Sequence, residues 1–203
     1  YQRRTVFTSG SAAVFEPWSR DQASRFLQKL GEELVRSGCQ IATGLGAGIG
    51  DALFTGALRS TYAIGSRIED TLILRPFPQG EASERIKDVW TAYRKEIMAH
   101  AGIVLFLFGN KQDDHSVVDS DGMHEEFQIA QDMGVAAVPV GATGYMASKL
   151  AALALGDPTR YLRGYGSEEI ALLKKLAVET EDLNALIPPI IELIDRLRGT
   201  KRT

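Results

Sequence analysis

The sequence predicts an α/β fold: a mostly parallel central sheet with helices on both faces in a three-layer arrangement. Three observations carry this prediction. Short apolar segments alternate with longer helical patterns along the chain, as in parallel sheets built with right-handed crossovers. Gly102–Phe108 is apolar without interruption, as befits a strand buried on both faces. The stretch Gly44-Leu-Gly-Ala-Gly-Ile-Gly50 places four glycines at alternate positions between an apolar strand-like entry and the helix-like run Ala52–Leu58.

The elements follow in order. Thr5–Thr8 reads as a short buried strand closed by Ser9-Gly10-Ser11. Asp21–Ser37 carries Phe26, Leu27, Leu30, Leu34 and Val35 at helical spacing, and Gly38 ends it as a C-cap glycine. Gln40–Thr43 is the second strand, leading into the glycine loop and Ala52–Leu58. Asp70–Arg75 reads as a third strand stopped by Pro76-Phe77-Pro78. Ala82–His100 reads as a helix with Ile86, Val89, Trp90, Tyr93 and Ile97 on one face. After the strand Gly102–Phe108 come a loop with Asp113-Asp114-His115-Ser116, a helix over Gly122–Met133 and a last strand, Ala136–Val140. Helices are expected at Met146–Leu155, Ser167–Glu179 and Leu183–Leu197, with a loop over Arg160–Ser167. There is no internal repeat and no low-complexity tract.

Composition narrows the function classes. The 203 residues fit a single domain, 1-203, with 44% hydrophobic and 24% charged residues. The net charge of −3 and a pI near 5.7 argue against partners that need a basic face, such as nucleic acid or an anionic membrane. No apolar run reaches about eighteen residues, so no membrane span is expected. Tyr1-Gln-Arg-Arg-Thr-Val-Phe lacks the apolar core of a signal peptide. The single cysteine, Cys39, has no internal disulfide partner and suggests a reducing compartment, the cytoplasm. The chain has no initiator Met and enters a strand almost at once, so it is expected to be a piece of a longer protein.

Ligands of open α/β sheets bind at the carboxyl ends of the strands, near the switch in strand order. Those ends carry, in turn, Ser9, Gly10 and Ser11; the loop Gly44, Leu45, Gly46 and Gly48; Arg75; Asn110 and Lys111; and Gly141-Ala-Thr-Gly144. Small, polar and cationic residues at all five ends describe a cleft rich in backbone N–H donors. A glycine-rich loop before a helix N-terminus is where a phosphate or pyrophosphate is expected. The spacing is neither the dinucleotide fingerprint nor a P-loop: Ile49 or Asp51 stands where the third glycine would fall, and no Gly-Lys-Ser/Thr follows. Arg94 and Lys111 are the candidate phosphate cations, read otherwise as a solvated helix charge and a turn lysine. Glu125 and Glu126 open a helix, which alone is favourable placement; one of them could bond ribose hydroxyls. His100, His115 and His124 have no metal-ligand spacing, and no catalytic triad can be read from the order of residues. The expectation is therefore no metal, no cofactor and no catalytic residue.

Phe7-Thr-Ser-Gly-Ser11, the loop Gly44–Gly50, Arg75-Pro-Phe-Pro78, Tyr93-Arg94-Lys-Glu, Ile103–Lys111, Asp121-Gly-Met-His-Glu-Glu-Phe127 and Pro139-Val-Gly-Ala-Thr-Gly144 occur in this order. As an ordered set they resemble the SLOG superfamily, in the branch found fused to sirtuin-like and TIR domains, which includes sensor domains of Thoeris antiphage effectors. The likeness is dense from Thr5 to Thr143. It implies a Rossmann-like domain that binds a cyclic ADP-ribose isomer made by a TIR enzyme. In that family binding reorganises an oligomer and activates an attached NAD-consuming effector, so a homo-oligomer and a fused effector domain are implied partners. The family's ligand-contacting arginine, lysine and glutamate match Arg94, Lys111 and Glu126, with Glu125 the neighbouring alternative. The Gly loop and Ser9-Gly10-Ser11 match its phosphate-binding backbone. A second class stays open. Other SLOG members, resembling cytokinin-activating phosphoribohydrolases, cleave an N-glycosidic bond and carry Pro-Gly-Gly-x-Gly-Thr-x-x-Glu. Here the corresponding stretch is Ser120-Asp-Gly-Met-His-Glu-Glu126, without the Pro-Gly-Gly or the Thr. DNA-uptake relatives form a third class, which the acidic pI disfavours.

Overall fold

A computed structural model describes residues 4–76 and 84–199, side chains 84–87 excepted. Five strands form one sheet: β1 (Thr5–Ser11), β2 (Gln40–Thr43), β3 (Leu72–Leu74), β4 (Ile103–Phe108) and β7 (Ala136–Pro139). Their order is β3-β2-β1-β4-β7 and every pairing is parallel. All six residues of β4 are buried, which is why that strand reads as an unbroken apolar run. From β1 the chain steps outward to β2 and β3, then returns to β4 and steps the other way to β7. Right-handed crossovers put the connecting helices of the two halves on opposite faces. This is the Rossmann-like three-layer arrangement.

The first half is covered by α1 (Arg20–Arg36) and α2 (Gly50–Ala63), which pack on each other. Ser19 caps α1: its side chain accepts from the Gln22 amide while the Gln22 side chain accepts from the Ser19 amide. The apolar stripe of α1 is buried at Phe26, Leu27, Leu30, Leu34 and Val35. Two glycines set the spacing of this pair. A Cβ on Gly31 would fall 2.3 Å from the Leu53 carbonyl oxygen, and one on Gly56 would fall 1.8 Å from that of Gln28. Backbone therefore lies against backbone where the helices cross.

On the other face α4 (Glu84–Ala99) packs on α5 (Asp121–Asp132). Phe127 of α5 meets Phe106 of β4 edge-on at 5.6 Å. Among the described side chains of α4, the buried ones are Ile97 and Met98, in its C-terminal half. Val89, expected on the buried face, is 57% exposed. The side chain of Ile86 lies outside the described residues, as do Phe77, Pro78 and the expected start of this helix at 82–83.

Other boundaries shift for local reasons. Ile68–Thr71 forms one helical turn, α3, because the Thr71 hydroxyl meets the Thr61 hydroxyl at 2.8 Å and the Ile68 carbonyl at 3.2 Å. Strand pairing is thereby confined to Leu72–Leu74, with the Arg75 amide adding one bond to the Thr43 carbonyl. The expected loop after β4 is instead an antiparallel ribbon of β5 (Asn110–Asp113) and β6 (Ser116–Asp119), turning at Asp114-His115. Toward the C-terminus, α6 (Tyr145–Gly156) precedes a short turn α7 (Pro158–Tyr161), which runs into the start of the expected loop Arg160–Ser167, then α8 (Ser167–Leu176). The last expected helix divides into a 3-10 turn, Leu183–Leu186, and α9 (Ile187–Gly199). Pro188 and Pro189 stand in the first turn of α9, where no intrahelical N–H is needed. None of the described helices is long and apolar enough to cross a membrane.

Candidate functional site

The strand order reverses between β1 and β4, and a cleft of about 220 Å³ opens beside that point. It is walled by the end of β1 (Thr8 to Ser11), by the loop after β2 (Gly44 to Ala47), by Arg94 of α4, and by Ser120, Gly122, Met123 and Glu126 around the first turns of α5. The sheet, the glycine loop and the helices of the opposite face thus converge on one hollow.

The loop is shaped by contact with β1. A Cβ on Gly46 would lie 1.9 Å from the Gly10 carbonyl oxygen, so only glycine lets the two backbones touch. The Ala12 amide donates to the Ala47 carbonyl at 2.8 Å and ties the same two segments. Gly48 has φ +80° and faces the Ala12 carbonyl, a conformation that a side chain disfavours. Leu45 has φ +53° without being glycine; its amide donates to the Thr43 hydroxyl at 3.2 Å. The Ile49 and Gly50 amides turn back onto the Gly46 carbonyl at 3.2 and 2.8 Å and start α2. The result is a tight backbone cradle against the strand end.

The polar centre of the cleft is an interlocked set of side chains. Arg94 donates through Nε to Glu126 at 3.3 Å and through Nη1 to Glu125 at 2.7 Å. The Ser9 hydroxyl donates to the other carboxylate oxygen of Glu126, and the Thr91 hydroxyl donates to Glu125. Adjacent helical residues point about 100° apart, and that rotation separates the two glutamates: Glu126 is buried and lines the cleft, whereas Glu125 lies half-exposed toward α4. Burial pushes the Glu126 carboxyl above its ordinary range, opposed by the Ser9 hydrogen bond and the Arg94 charge. Such a site can offer an anion a guanidinium and backbone amides, and can offer hydroxyl donors a carboxylate.

The structure brings together Ser9, Gly10, Ser11, Gly44, Leu45, Gly46, Arg94 and Glu126 along this cleft. It does not bring Gly48, Arg75, Asn110 or Lys111 to the lining. Arg75 is exposed just past β3. Asn110 is fully buried and its side chain is a brace: Oδ1 accepts from the Ala13 and Val14 amides at 2.9 and 3.1 Å, and Nδ2 donates to the Val14 carbonyl at 3.0 Å. Lys111 reaches Asp121 at 3.1 Å on the exposed side of the ribbon. Sequence reasoning missed Thr91 and Gly122. Thr91 stands three residues before Arg94, on the same helix face, a spacing that could have flagged it. A Cβ on Gly122 would lie 2.6 Å from Arg94 Nη2. Among the described residues no group of three or more His, Cys, Asp or Glu could hold a metal ion.

Residues 1–197 match the model of the Sir2- and TIR-associating SLOG family, STALD. The chain is 37% identical over 203 residues to the NAD(+) hydrolase ThsA of Acinetobacter baumannii, covering 96% of this chain and 42% of that protein. It is 36% identical over 195 residues to the NAD(+) hydrolase ThsA of Bacillus cereus, covering 96% and 40%. Against the NAD(+) hydrolase ThsA of Cytobacillus dafuensis it is 35% identical over 203 residues, covering 98% and 41%. The chain therefore spans about two-fifths of the length of these curated relatives. With the family model matched over nearly its whole length, the chain belongs to the Sir2- and TIR-associating SLOG family.

Proposed function

We propose that this chain is the nucleotide-sensing module of a larger cytoplasmic effector. It binds a cyclic ADP-ribose isomer made by a TIR enzyme and thereby controls an attached NAD(+)-hydrolysing domain in antiphage defence. The module itself is non-catalytic, uses no cofactor, and works as a homo-oligomer. The observation that carries this reading is the Ser9–Glu126–Arg94 set at the strand-order switch, enclosed by the backbone of loop 44–47 and the first turn of α5. A cyclic ADP-ribose presents a pyrophosphate, two riboses and an adenine. The guanidinium and the loop amides suit the phosphates, and Glu126 suits ribose hydroxyls. At about 220 Å³ the cleft is smaller than the roughly 300–1,000 Å³ of pockets for drug-sized ligands. It suits the phosphate–ribose portion, with the remainder of the nucleotide extending past it, and Lys111 on the neighbouring ribbon is then an outer contact. The identity to NAD(+) hydrolases over two-fifths of their length supports the attached effector.

The test is calorimetric titration of the chain with cyclic ADP-ribose isomers beside ADP-ribose, NAD and AMP, with Arg94→Ala as control. Intact binding of one cyclic isomer, lost in Arg94→Ala, is expected. Wild-type affinity in Arg94→Ala would remove the site from the proposal. One observation favours the phosphoribohydrolase reading as a second choice: a buried carboxyl with a raised pKa, Glu126, is what a general acid requires. Release of free base from AMP, followed by chromatography, would move the assignment there.

A further inference from the structure

Arg94 does not hold its place alone. It sits on α4, across the cleft wall from α5, and a long flexible side chain in that position carries considerable rotamer entropy. Thr91 and Arg94 stand three residues apart and so share one face of α4. Both meet Glu125: the Thr91 hydroxyl donates to one carboxylate oxygen, and Arg94 Nη1 donates to the other at 2.7 Å. Glu125 is thus clamped between two residues of α4, and the clamp fixes one edge of the guanidinium. Glu126 takes the Nε edge at 3.3 Å. The third nitrogen, Nη2, lies over Gly122, so close that a Cβ there would meet it at 2.6 Å. The Arg94 side chain is 11% exposed, and its guanidinium stands over the first turn of α5, the helix end that favours an anion.

Glu125 is not among the residues lining the cleft and Thr91 is not either. Neither is placed to touch a ligand there, yet Glu125 holds the arginine that would, and Thr91 holds Glu125. We propose that Thr91 and Glu125 are positioning residues for Arg94, locking its guanidinium over the first turn of α5 in the orientation that receives a nucleotide phosphate. The proposal rests on the reading of this cleft as a nucleotide site. It assigns the pair a role in affinity, through pre-organisation of the cation, and not in folding. It also accounts for two adjacent glutamates that point apart: Glu126 faces the ligand space, and Glu125 holds the arginine.

Thr91→Val separates orientation from charge, because it keeps the Glu125 carboxylate and removes only the hydroxyl that clamps it. Thr91→Ser restores the hydroxyl. Titration of these variants and of Glu125→Gln with cyclic ADP-ribose isomers is expected to show affinity lowered about tenfold, or ~1.4 kcal/mol, in Thr91→Val and Glu125→Gln. Thr91→Ser should bind as wild type, and melting temperatures should stay together. A second readout needs no nucleotide. In nitrogen-15 NMR spectra the Arg94 guanidinium protons, assigned with Arg94→Lys, should exchange slowly in wild type and Thr91→Ser, and rapidly in Thr91→Val. Wild-type affinity in Thr91→Val, or guanidinium exchange unchanged by the loss of the hydroxyl, overturns the positioning role. If the wild-type chain binds no cyclic isomer, the nucleotide reading fails by itself; the positioning role then stands or falls on the guanidinium exchange and on the same comparison made with inorganic pyrophosphate.

Discussion

Gly46→Ala tests the architecture of the cleft with a single methyl group. The added carbon would sit 1.9 Å from the Gly10 carbonyl oxygen and 3.1 Å from its carbon, where real Cβ contacts stay beyond 3.0 Å. Neither partner is a flexible side chain, so loop 44–50 must retreat from β1 by about 1 Å or the strand end must yield. Gly46 is not among the residues with positive φ, so the substitution adds overlap without left-handed strain. Overpacking of this kind costs about 2–3 kcal/mol. At about 2–4 °C per kcal/mol for a chain of this size, the melting temperature should fall by roughly 4–12 °C. Retreat also moves the loop amides from the cleft, so nucleotide affinity should drop at least about tenfold. Gly134→Ala is the control: it has φ +65° and open space around it, and carries only the conformational penalty of about 1–2 kcal/mol. Thermal denaturation by circular dichroism, with calorimetric titration, reads both quantities. A Gly46→Ala melting temperature within about 2 °C of wild type, with unchanged affinity, would show that the contact between loop and strand is not what shapes the site.

Glu126→Gln should cost binding while sparing stability. Because burial raises the folded-state pKa of Glu126 above its ordinary 4.5, the stability linked to its proton is fully present below that value and is lost as pH rises through the folded pKa. The variant should therefore gain on wild type in melting temperature between pH 4 and pH 8; a gap that stays constant with pH would contradict the assigned burial effect. Asn110→Ala should lower stability by about 2–4 kcal/mol, since the Ala13 and Val14 groups lose buried partners, and a melt equal to wild type would mean the brace is dispensable. Lys111→Ala should leave stability within about 0.5 kcal/mol, because its ion pair to Asp121 is exposed; lowered nucleotide affinity would then mark Lys111 as a ligand contact, and unchanged affinity would exclude it.

The parts of this molecule that were legible in its sequence are those with a local signature. The unbroken apolar run of β4 reads directly because burial on both faces removes every polar position. The stripe of α1 and the glycine loop behave likewise. The ribbon at 110–119 was not legible: its strands are only four residues long, and Asn110, which reads as a ligand-facing strand-end residue, is instead anchored to the distant Ala13–Val14 backbone. Periodicity overextended the buried face of α4 to Val89 because it cannot reveal where a helix overhangs its sheet. In the site, the strand ends were readable from the topology rule, and the order of motifs brought Arg94 to attention. What no local pattern contains is the pairing of Arg94 with residues more than thirty positions away, or the rotation that sends Glu125 and Glu126 to different neighbours.

The close crossing of α1 and α2 has a mechanical consequence. With Gly31 and Gly56 seating backbone on backbone, those helices should move as one stiff plate, and loop 44–50 leads directly into its edge. Arg94 and Glu126 belong to the opposing plate, α4 and α5, which is held across its seam by polar side chains. A molecule touching both rims acts as a rivet between a rigid plate and a compliant one. Displacement on binding should then collect in α4 and α5, and a neighbouring domain or subunit resting on those helices would feel the load first.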